Sequence, residues 1–360
     1  MEVFASKTTI CAGFGAASAL KQLHAHRLFV VTDPYFMKNG VAEAIAKQSG
    51  AKEFSYFDRV APDPSAELVA SAIAQMEEFK PDLLIAIGGG SAMDCAKAAI
   101  YLWGKGIPMA AIPTTSGSGS EVTDFAIITA KGIKQVLVDA SMQPKMAILD
   151  GDLLKNLPPA LIADAGFDIL SHDLESLAAK NAGSITTALA KDSFCTAFNL
   201  LERSFTGDAT CRLEIHKAAT MAGMAFSSAG LGLCHALSHA LGGLFHIPHG
   251  RLNAIFLPAV VDYNKQAAAS QYAAVARAAG LGGTVDTVSV RNLRNGLCKL
   301  RSRLNLPGTL AQAGVSPTEL SQHREKVIQA ALADPCCSTN PVPVDKAGIL
   351  EILRQVQGFG

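Results

Sequence analysis

The hydrophobic pattern of the chain changes once, near residue 155. Before that point, short apolar runs alternate with segments that have the period of an α-helix. After it, the period-two alternation typical of strands almost disappears, and the helical period continues to residue 360. Strands that alternate with helices favour a parallel sheet covered on both faces. The sequence therefore predicts an α/β domain over residues 1–155 and an all-helical domain over residues 156–360.

The first half contains the apolar runs that predict strands. Each run is short, and most are separated by segments with helical periodicity or by loops rich in glycine and proline. The predicted strands are 27–33, 53–58, 109–113, 125–129, 135–139 and 146–150, the predicted helices are 35–49 and 64–80, and residues 82–104 are predicted to form a strand, a glycine turn and a helix.

Charge and composition exclude several classes of partner. The 31 Lys and Arg residues balance 31 Asp and Glu residues, and neither a basic patch nor a Lys/Arg cluster is present. We therefore expect no nucleic acid and no membrane among the partners. The N-terminal sequence lacks the pattern of a signal peptide. The eight cysteines form no CxxC pair, which is typical of reduced thiols, so we expect a cytoplasmic protein.

Histidines cluster in one stretch, residues 232–250, which reads GLCHALSHALGGLFHIPHG. His235 and His239 are four residues apart, so a helix presents both on one face. Two glycines interrupt that helix, and Pro248 stiffens the turn that presents His249. A helical histidine pair and a histidine on a turn favour a shared metal site or catalytic pocket.

A second stretch adds a carboxylate to this set. Asp168 and His172 are also four residues apart and share a helix face. A lone histidine on a half-apolar helix is more often an ordinary core residue, so the metal hypothesis depends on the two stretches together. One carboxylate and three imidazoles suit Fe(II), Zn(II) or another divalent ion. The helical half is therefore predicted to bind a metal.

Two glycine-rich loops follow strands of the first half. GGGSAMD, residues 88–94, lies between a strand and a helix, where free N–H groups favour a phosphate; the alternative is a plain tight turn. PTTSGSGSEVTD, residues 113–124, offers hydroxyl and N–H groups to a second phosphate or a ribose; the alternative is a flexible linker. Together the two loops predict a Rossmann-like domain that binds a dinucleotide, with chemistry in a cleft between the domains.

Two further side chains are candidates for the nucleotide site. Asp33 ends the strand at 27–33, where a carboxylate can bind a ribose diol and favour NAD over NADP; the alternative is an ordinary helix N-cap before Pro34. Lys134 is a candidate for a nucleotide phosphate, although a solvated surface lysine explains it equally simply.

Five motifs in the correct order resemble the iron-containing (group III) alcohol dehydrogenase family. The resemblance covers nearly the whole chain, and two C-terminal phrases are similar to its 1-propanol dehydrogenase branch. It implies a dehydroquinate synthase-like fold. The five motifs are GGGSAMDCAKA (88–98), IPTTSGSGSEVTDFAIIT (112–129), PKMAILD (144–150), LPPALIADAGFDILSHDLES (157–176) and the histidine stretch 232–250.

The resemblance also assigns roles to individual residues. It implies that NAD(H) and Fe2+, with Zn2+ or another divalent metal as alternatives, are the cofactors, and that His239 lies near the nicotinamide as a catalytic proton relay or a hydrogen-bonding partner. The implied metal ligands are Asp168, His172, His235 and His249, and the implied cofactor contacts are Asp33, Gly89, Gly90, Ser91, Thr114, Thr115, Ser118 and Lys134.

The activity that the resemblance implies is hydride transfer between NADH and a short-chain aldehyde such as propanal or acetaldehyde, giving the alcohol. A homodimer, and residence in a bacterial microcompartment with partner enzymes or shell proteins, as in propanediol utilization, are further expectations. The chain departs from the family pattern at Ala165, Asp173 and Val342. These departures leave every implied ligand in position.

Three alternative functions fit parts of the sequence. A glycerol or polyol dehydrogenase of the same superfamily has the same two-domain plan, but the histidine stretch favours the alcohol dehydrogenases. A metal-dependent hydrolase uses similar ligands, yet it has no need of two phosphate-binding loops. A non-catalytic nucleotide-binding scaffold remains the third alternative, and steady oxidation of NADH by an aldehyde excludes it.

Overall fold

The computed structural model describes residues 4–130 and 133–358. The chain forms two compact units, one from Ala5 to Leu157 and the other from Pro158 onward. The first unit is α/β and the second is helical, as the change in hydrophobic pattern predicts. None of the helices in the described ranges combines the length and the apolarity that a membrane crossing requires.

The α/β unit is built on a six-stranded parallel sheet. Every pairing within this sheet is parallel, and its strand order is β1-β8-β5-β4-β2-β3. Such a sheet requires helical crossovers that cover both faces. The strands are β1 (Thr9–Gly13), β2 (Arg27–Thr32), β3 (Glu53–Phe57), β4 (Leu83–Gly88), β5 (Met109–Pro113) and β8 (Met146–Asp150).

Helices on both faces of this sheet bury successive strand residues in two separate cores. Leu28 and Val30 of β2 face one core, whereas Phe29 and Val31 face the other. A strand that is buried on both faces has no polar alternation, which explains the continuous apolar runs. The helices are α1 (Pro34–Lys38), α2 (Val41–Gln48), α3 (Ala66–Phe79) and α4 (Gly90–Trp103).

Three features of this unit differ from the prediction. The runs at 125–129 and 135–139 form β6 (Phe125–Ala130) and β7 (Ile133–Val138), an antiparallel pair outside the parallel sheet. The edge strand β1 was not predicted, because its exposed residues lack an apolar run. The helix predicted at 35–49 is two helices, α1 and α2, because Gly40 adopts a left-handed conformation between them.

The helical unit surrounds one long buried helix, α5 (Pro159–Ala178). All thirteen residues from Gly166 to Ala178 are buried, so this part of the helix has no solvent face. The other helices are α6 (Ser184–Phe205), α7 (Arg212–Ala229), α8 (Leu233–Phe245), α9 (His249–Asn264), α10 (Ala269–Ala278), α11 (Asp286–Arg303), α12 (Pro317–Ala333), α13 (Cys336–Thr339) and α14 (Lys346–Val356).

Two glycines allow neighbouring helices to approach α5 closely. A Cβ atom on Gly250 of α9 would lie 1.9 Å from the carbonyl oxygen of Asp164. A Cβ atom on Gly166 of α5 would lie 2.3 Å from a methyl group of Leu201 on α6. Real Cβ atoms do not approach other atoms this closely, so the observed helix spacing requires glycine at both positions.

We predict that Gly250→Ala destabilises the helical unit, because its Cβ atom collides with the backbone of α5. The expected loss is about 3 kcal/mol, or a Tm lower by roughly 6–12 °C, measured by calorimetry. Gly243→Ala on α8 is the matched control, since its Cβ meets nothing within 4 Å and alanine favours helix. Equal Tm values for the two variants would contradict the role of the close approach.

Candidate active site

Three helices of the helical unit converge on one carboxylate oxygen. Asp168 and His172 lie on α5, His235 lies on α8 and His249 begins α9. The Nε2 atoms of His172, His235 and His249 lie 3.7, 3.8 and 3.5 Å from Oδ1 of Asp168. Ligand atoms of Asp168, His235 and His249 all lie within 4.8 Å of one another. His172 is outside that mutually close set, but its ring stacks on His235 at 4.6 Å.

These distances fit the coordination of one ion. They are too long for hydrogen bonds, whereas donor atoms about 2.1 Å from a tetrahedral ion are separated by about 3.4 Å. The Nε2 atom of His235 is buried and has no hydrogen-bond partner among the described residues. A buried nitrogen without a partner is costly unless a cation binds it. The oxygen and nitrogen donors therefore suit a divalent metal.

The pKa values in this cluster reflect a balance between burial and the attraction between Asp168 and the imidazoles. Burial raises the pKa of Asp168, but the imidazoles of His172, His235 and His249 outweigh burial and hold the pKa below its usual range. Asn253 of α9 also donates to Oδ1 of Asp168 at 2.9 Å. Burial lowers the pKa of His249 well below its usual value despite the neighbouring carboxylate. Both shifts favour the protonation state that a metal ligand needs, an ionised carboxylate for Asp168 and a neutral imidazole for His249.

Glu175 holds His235, and the sequence analysis did not identify it. Its Oε2 atom lies 2.6 Å from Nδ1 of His235, and its Oε1 atom accepts the N–H of Cys234 at 2.6 Å. Burial lowers the pKa of His235, but the two nearby carboxylates of Asp168 and Glu175 outweigh it and raise the pKa to about 9. With its Nδ1 hydrogen on Glu175, the imidazole presents Nε2 toward Asp168.

A second carboxylate, Asp334, holds His239 in the same way. Oδ2 of Asp334 lies 2.8 Å from Nδ1 of His239, whose ring stacks on His249 at a centroid distance of 5.1 Å. Burial raises the pKa of Asp334, but the hydrogen bond and charge of His239 outweigh it and lower the pKa to about 2. His239 therefore lies beside the candidate ligands, with its Nδ1 atom held by a carboxylate.

Asp173, one of the departures from the family pattern, is turned away from this cluster. It is fully buried, and its Oδ2 atom lies 2.9 Å from Oγ of Ser193. That hydroxyl also lies 2.8 Å from the carbonyl oxygen of Ala218, to which only the hydroxyl can donate. Asp173 must then be the donor to Ser193, and burial raises its pKa well above the usual value. The carboxyl group is neutral and adds no charge beside the ligands.

The two glycine-rich loops of the α/β unit lie against each other. Helix α4 begins at Gly90, and its N-cap residue Gly89 provides no side-chain cap, so the first N–H groups remain available to an anion. A Cβ atom on Gly89 would lie 3.1 Å from Oγ1 of Thr115, and one on Gly90 would lie 3.4 Å from Ser118. The loops therefore form one continuous surface at the carboxyl ends of β4 and β5.

The remaining predicted cofactor residues lie around this surface. Ser91 follows Gly90 in the first turn of α4. The N–H of Thr114 donates to the carbonyl of Gly88 at 3.0 Å, which joins the second loop to β4. The Lys134 ammonium forms an ion pair with Asp63 at 2.8 Å, so its charge has a partner within the chain.

Asp33 is the N-cap of α1, and its binding of a ribose stays a prediction. Its Oδ1 atom accepts the N–H groups of Tyr35 and Phe36 at 2.8 and 3.3 Å, which is an ordinary N-cap of α1. Its Oδ2 atom would lie 3.8 Å from a Cβ atom on Gly88, at the adjacent strand end. One oxygen therefore caps the helix while the other faces the glycine loop.

The sequence analysis did not identify Lys97. This residue of α4 joins that helix to the second glycine-rich loop through hydrogen bonds. Its side chain is completely buried, and its ammonium group donates to Ser120, Thr123 and the carbonyl of Phe125 at 2.8–3.0 Å. Burial lowers the pKa of Lys97 to about 8 and raises that of Asp94, one turn earlier, to about 6. This network fixes the loop that contains Thr114 and Ser118.

Comparison with known families accounts for both units. Residues 8–151 match the family described as iron-containing alcohol dehydrogenase, and residues 162–357 match the C-terminal domain of the same family. The chain belongs to the iron-containing alcohol dehydrogenase family. Membership makes it an NAD-dependent alcohol oxidoreductase and implies NAD(H) and a divalent metal as cofactors. The residues described above fit both groups.

Individual members of the iron-containing alcohol dehydrogenase family match along the whole chain. The chain is 37% identical to 1-propanol dehydrogenase PduQ of Citrobacter freundii, over 99% of this chain and 100% of that protein. It is 33% identical to an NADPH-dependent butanol dehydrogenase of Clostridium saccharobutylicum, over 96% and 95%. Its fold is similar to that of the iron-containing alcohol dehydrogenase from Thermococcus thioreducens, with a TM-score of 0.92, 30% identity and coverage of 98% and 99%.

We predict that Glu175→Gln weakens metal binding about 10- to 100-fold, because the amide orients His235 without supplying negative charge. Competition between the protein and a chelator for Zn(II) measures the affinity. Glu214→Gln on α7 is the control, since this exposed carboxylate pairs with Lys217 on the same helix. An affinity equal to that of the unaltered protein would show that Glu175 does not support the metal site.

Proposed function

We propose that the protein reduces a short-chain aldehyde, such as propanal or acetaldehyde, to the alcohol with NADH. A divalent metal, Fe(II) in the first instance, is held by Asp168, His172, His235 and His249. The observation that supports this most directly is the approach of three imidazole Nε2 atoms to within 3.5–3.8 Å of one carboxylate oxygen. Relatives named for 1-propanol and butanol support a small unbranched substrate.

Each candidate residue of the helical unit has a separate role in the proposed reaction. When bound, the two cofactors supply Lewis-acid polarisation of the carbonyl group and a hydride donor. Glu175 fixes the tautomer of His235, and Asp168 provides the anionic ligand. His239 is the proton relay: Asp334 holds its Nδ1 hydrogen, so proton exchange with the developing alcohol takes place at Nε2.

The residues of the α/β unit bind and orient the dinucleotide. The N–H groups at the uncapped N-terminus of α4, at Gly89 and Gly90, bind the pyrophosphate. Thr114, Thr115 and Ser118 contribute the second wall, and Lys97 keeps that wall rigid from beneath. The Oδ2 atom of Asp33 accepts hydrogen bonds from the ribose hydroxyls of NADH, and its negative charge repels the extra phosphate of NADPH. Lys134 has a minor part, because Asp63 already binds it.

The test is anaerobic oxidation of NADH with propanal, comparing metal-stripped protein with samples reconstituted with Fe(II) or Zn(II). We expect turnover to return with Fe(II) and less with Zn(II). We also expect His235→Ala to lose both metal and turnover, whereas His246→Asn, at the exposed end of the same helix, keeps both. Turnover of glycerol but not of propanal would favour a polyol dehydrogenase. Binding of NADH without turnover of any aldehyde would favour a scaffold.

We predict that Asp33→Asn weakens the preference for NADH over NADPH by about tenfold or more. Asparagine still caps α1, so the variant removes the negative charge while keeping the local structure. The measurement is the ratio of kcat/KM values for NADH and NADPH with the same aldehyde. Asp58→Asn, which removes a charge elsewhere in this unit, is the control. An unchanged ratio in Asp33→Asn would exclude Asp33 from the ribose site.

A further inference from the structure

A cavity of about 900 Å³ lies in the helical unit between the start of α9, the end of α11 and the loop that follows α11. Its volume is within the range of small-molecule sites in proteins. None of the proposed metal ligands lines it. The lining side chains that concern its chemistry are Arg251, Arg301, Ser302, Asn305 and Thr309.

Arg301 provides a positive charge that no carboxylate neutralises. Within the described ranges its guanidinium makes one hydrogen bond, from Nη1 to the carbonyl oxygen of Ala254 at 3.0 Å, and it forms no ion pair. Burial and the neighbouring Arg294 lower its pKa, and Cys298 partly offsets them. A half-buried guanidinium without a counter-ion within reach is well suited to bind an anion from outside the chain.

Arg251 differs from Arg301 because its own charge is balanced. Its Nε and Nη2 atoms form a two-pronged pair with Asp164 at 3.1 and 2.9 Å. That pairing fixes the plane of the guanidinium and leaves Nη1 for another acceptor. The cavity therefore has one N–H donor of fixed orientation from Arg251 and one guanidinium group without a counter-ion from Arg301.

The rest of the lining also favours an anion with several oxygens. No Asp or Glu side chain lines the cavity, whereas Ser302, Asn305 and Thr309 provide hydroxyl and amide donors. Gly308 adds space at the same place, since a Cβ atom there would lie 2.9 Å from Nη2 of Arg301. Two guanidinium groups and several neutral donors exceed the needs of a carboxylate, which one guanidinium satisfies.

We propose that this cavity binds the phosphate group of a small phosphomonoester. The phosphate accepts hydrogen bonds from Arg301 and Arg251, and the organic part occupies the remaining volume beside Leu306 and Pro307. Neither the proposed metal ligands nor the residues of the glycine loops are among those that line the cavity. It holds whether or not the protein reduces aldehydes.

The test is isothermal titration of the holoenzyme, saturated with NAD+, using inorganic phosphate, glucose 6-phosphate and glucose as probes. We expect saturable binding of the two phosphates with one site per chain, and no binding of glucose. Tighter binding of glucose 6-phosphate than of inorganic phosphate identifies a phosphomonoester as the ligand class, whereas equal affinities identify the free phosphate ion. Absence of binding by both phosphates overturns the proposal.

Three variants locate the site. Arg301→Gln is expected to weaken phosphate binding about 10- to 100-fold, whereas Arg303→Gln, two residues later and paired with Glu202, leaves it unchanged. Asn305→Asp places a negative charge in the lining without altering Arg301, and its exposed left-handed backbone tolerates aspartate. We expect this variant also to lose at least tenfold in affinity. Unchanged affinity in Asn305→Asp, or an equal loss in Arg303→Gln, contradicts the assignment.

Discussion

The helical unit depends on one buried negative charge. The carboxylate of Asp168 lies in a helix whose central residues have no solvent face, and imidazoles from three helices around one of its oxygens hold its pKa below the usual range. Each of these helices has to approach closely enough to present a ring. Gly250 allows α9 to contact the backbone of α5, and Glu175 holds the histidine of α8 in orientation. Packing and electrostatics therefore impose the same geometry.

The same helix contains a second buried carboxyl group, and its pKa is shifted in the opposite direction. For Asp173, burial raises the pKa well above the usual value, and the carboxyl group pairs with Ser193 rather than with a ring of imidazoles. Two aspartates five residues apart on one helix thus differ in charge because of their neighbours alone. This difference explains how the chain accommodates an additional carboxyl group next to His172 without changing the charge of the candidate metal site.

Much of the fold was predictable because its signals are local. The parallel strands are continuous apolar runs, and β2, β3, β5 and β8 begin and end within about a residue of the predicted bounds. The errors arise where partners decide the outcome. The hairpin of β6 and β7 has the composition of core strands, and only its pairing shows that it lies outside the parallel sheet. The edge strand β1 is identified by its neighbour β8 rather than by its own residues.

The same distinction between local and long-range signals decides which residues of the candidate site were predictable. Spacing of four residues on a helix identified Asp168, His172, His235 and His239, because such pairs share a face. The carboxylates that orient the histidines escaped notice, since Glu175 lies 60 residues from His235 and Asp334 lies 95 residues from His239. Lys97 resembles any other helical lysine in sequence, and only its complete burial reveals the ammonium group beneath the cofactor loop.

The burial of α5 on every side has a consequence for motion. The segment from Gly166 to Ala178 is packed all round, so we expect its amide hydrogens to exchange with solvent when the helical unit unfolds. A ligand that binds Asp168 or His172 in the folded state then slows exchange along this segment by one common factor. Deuterium uptake by α5 is thus a direct measure of the free energy that ligand binding adds to the unit.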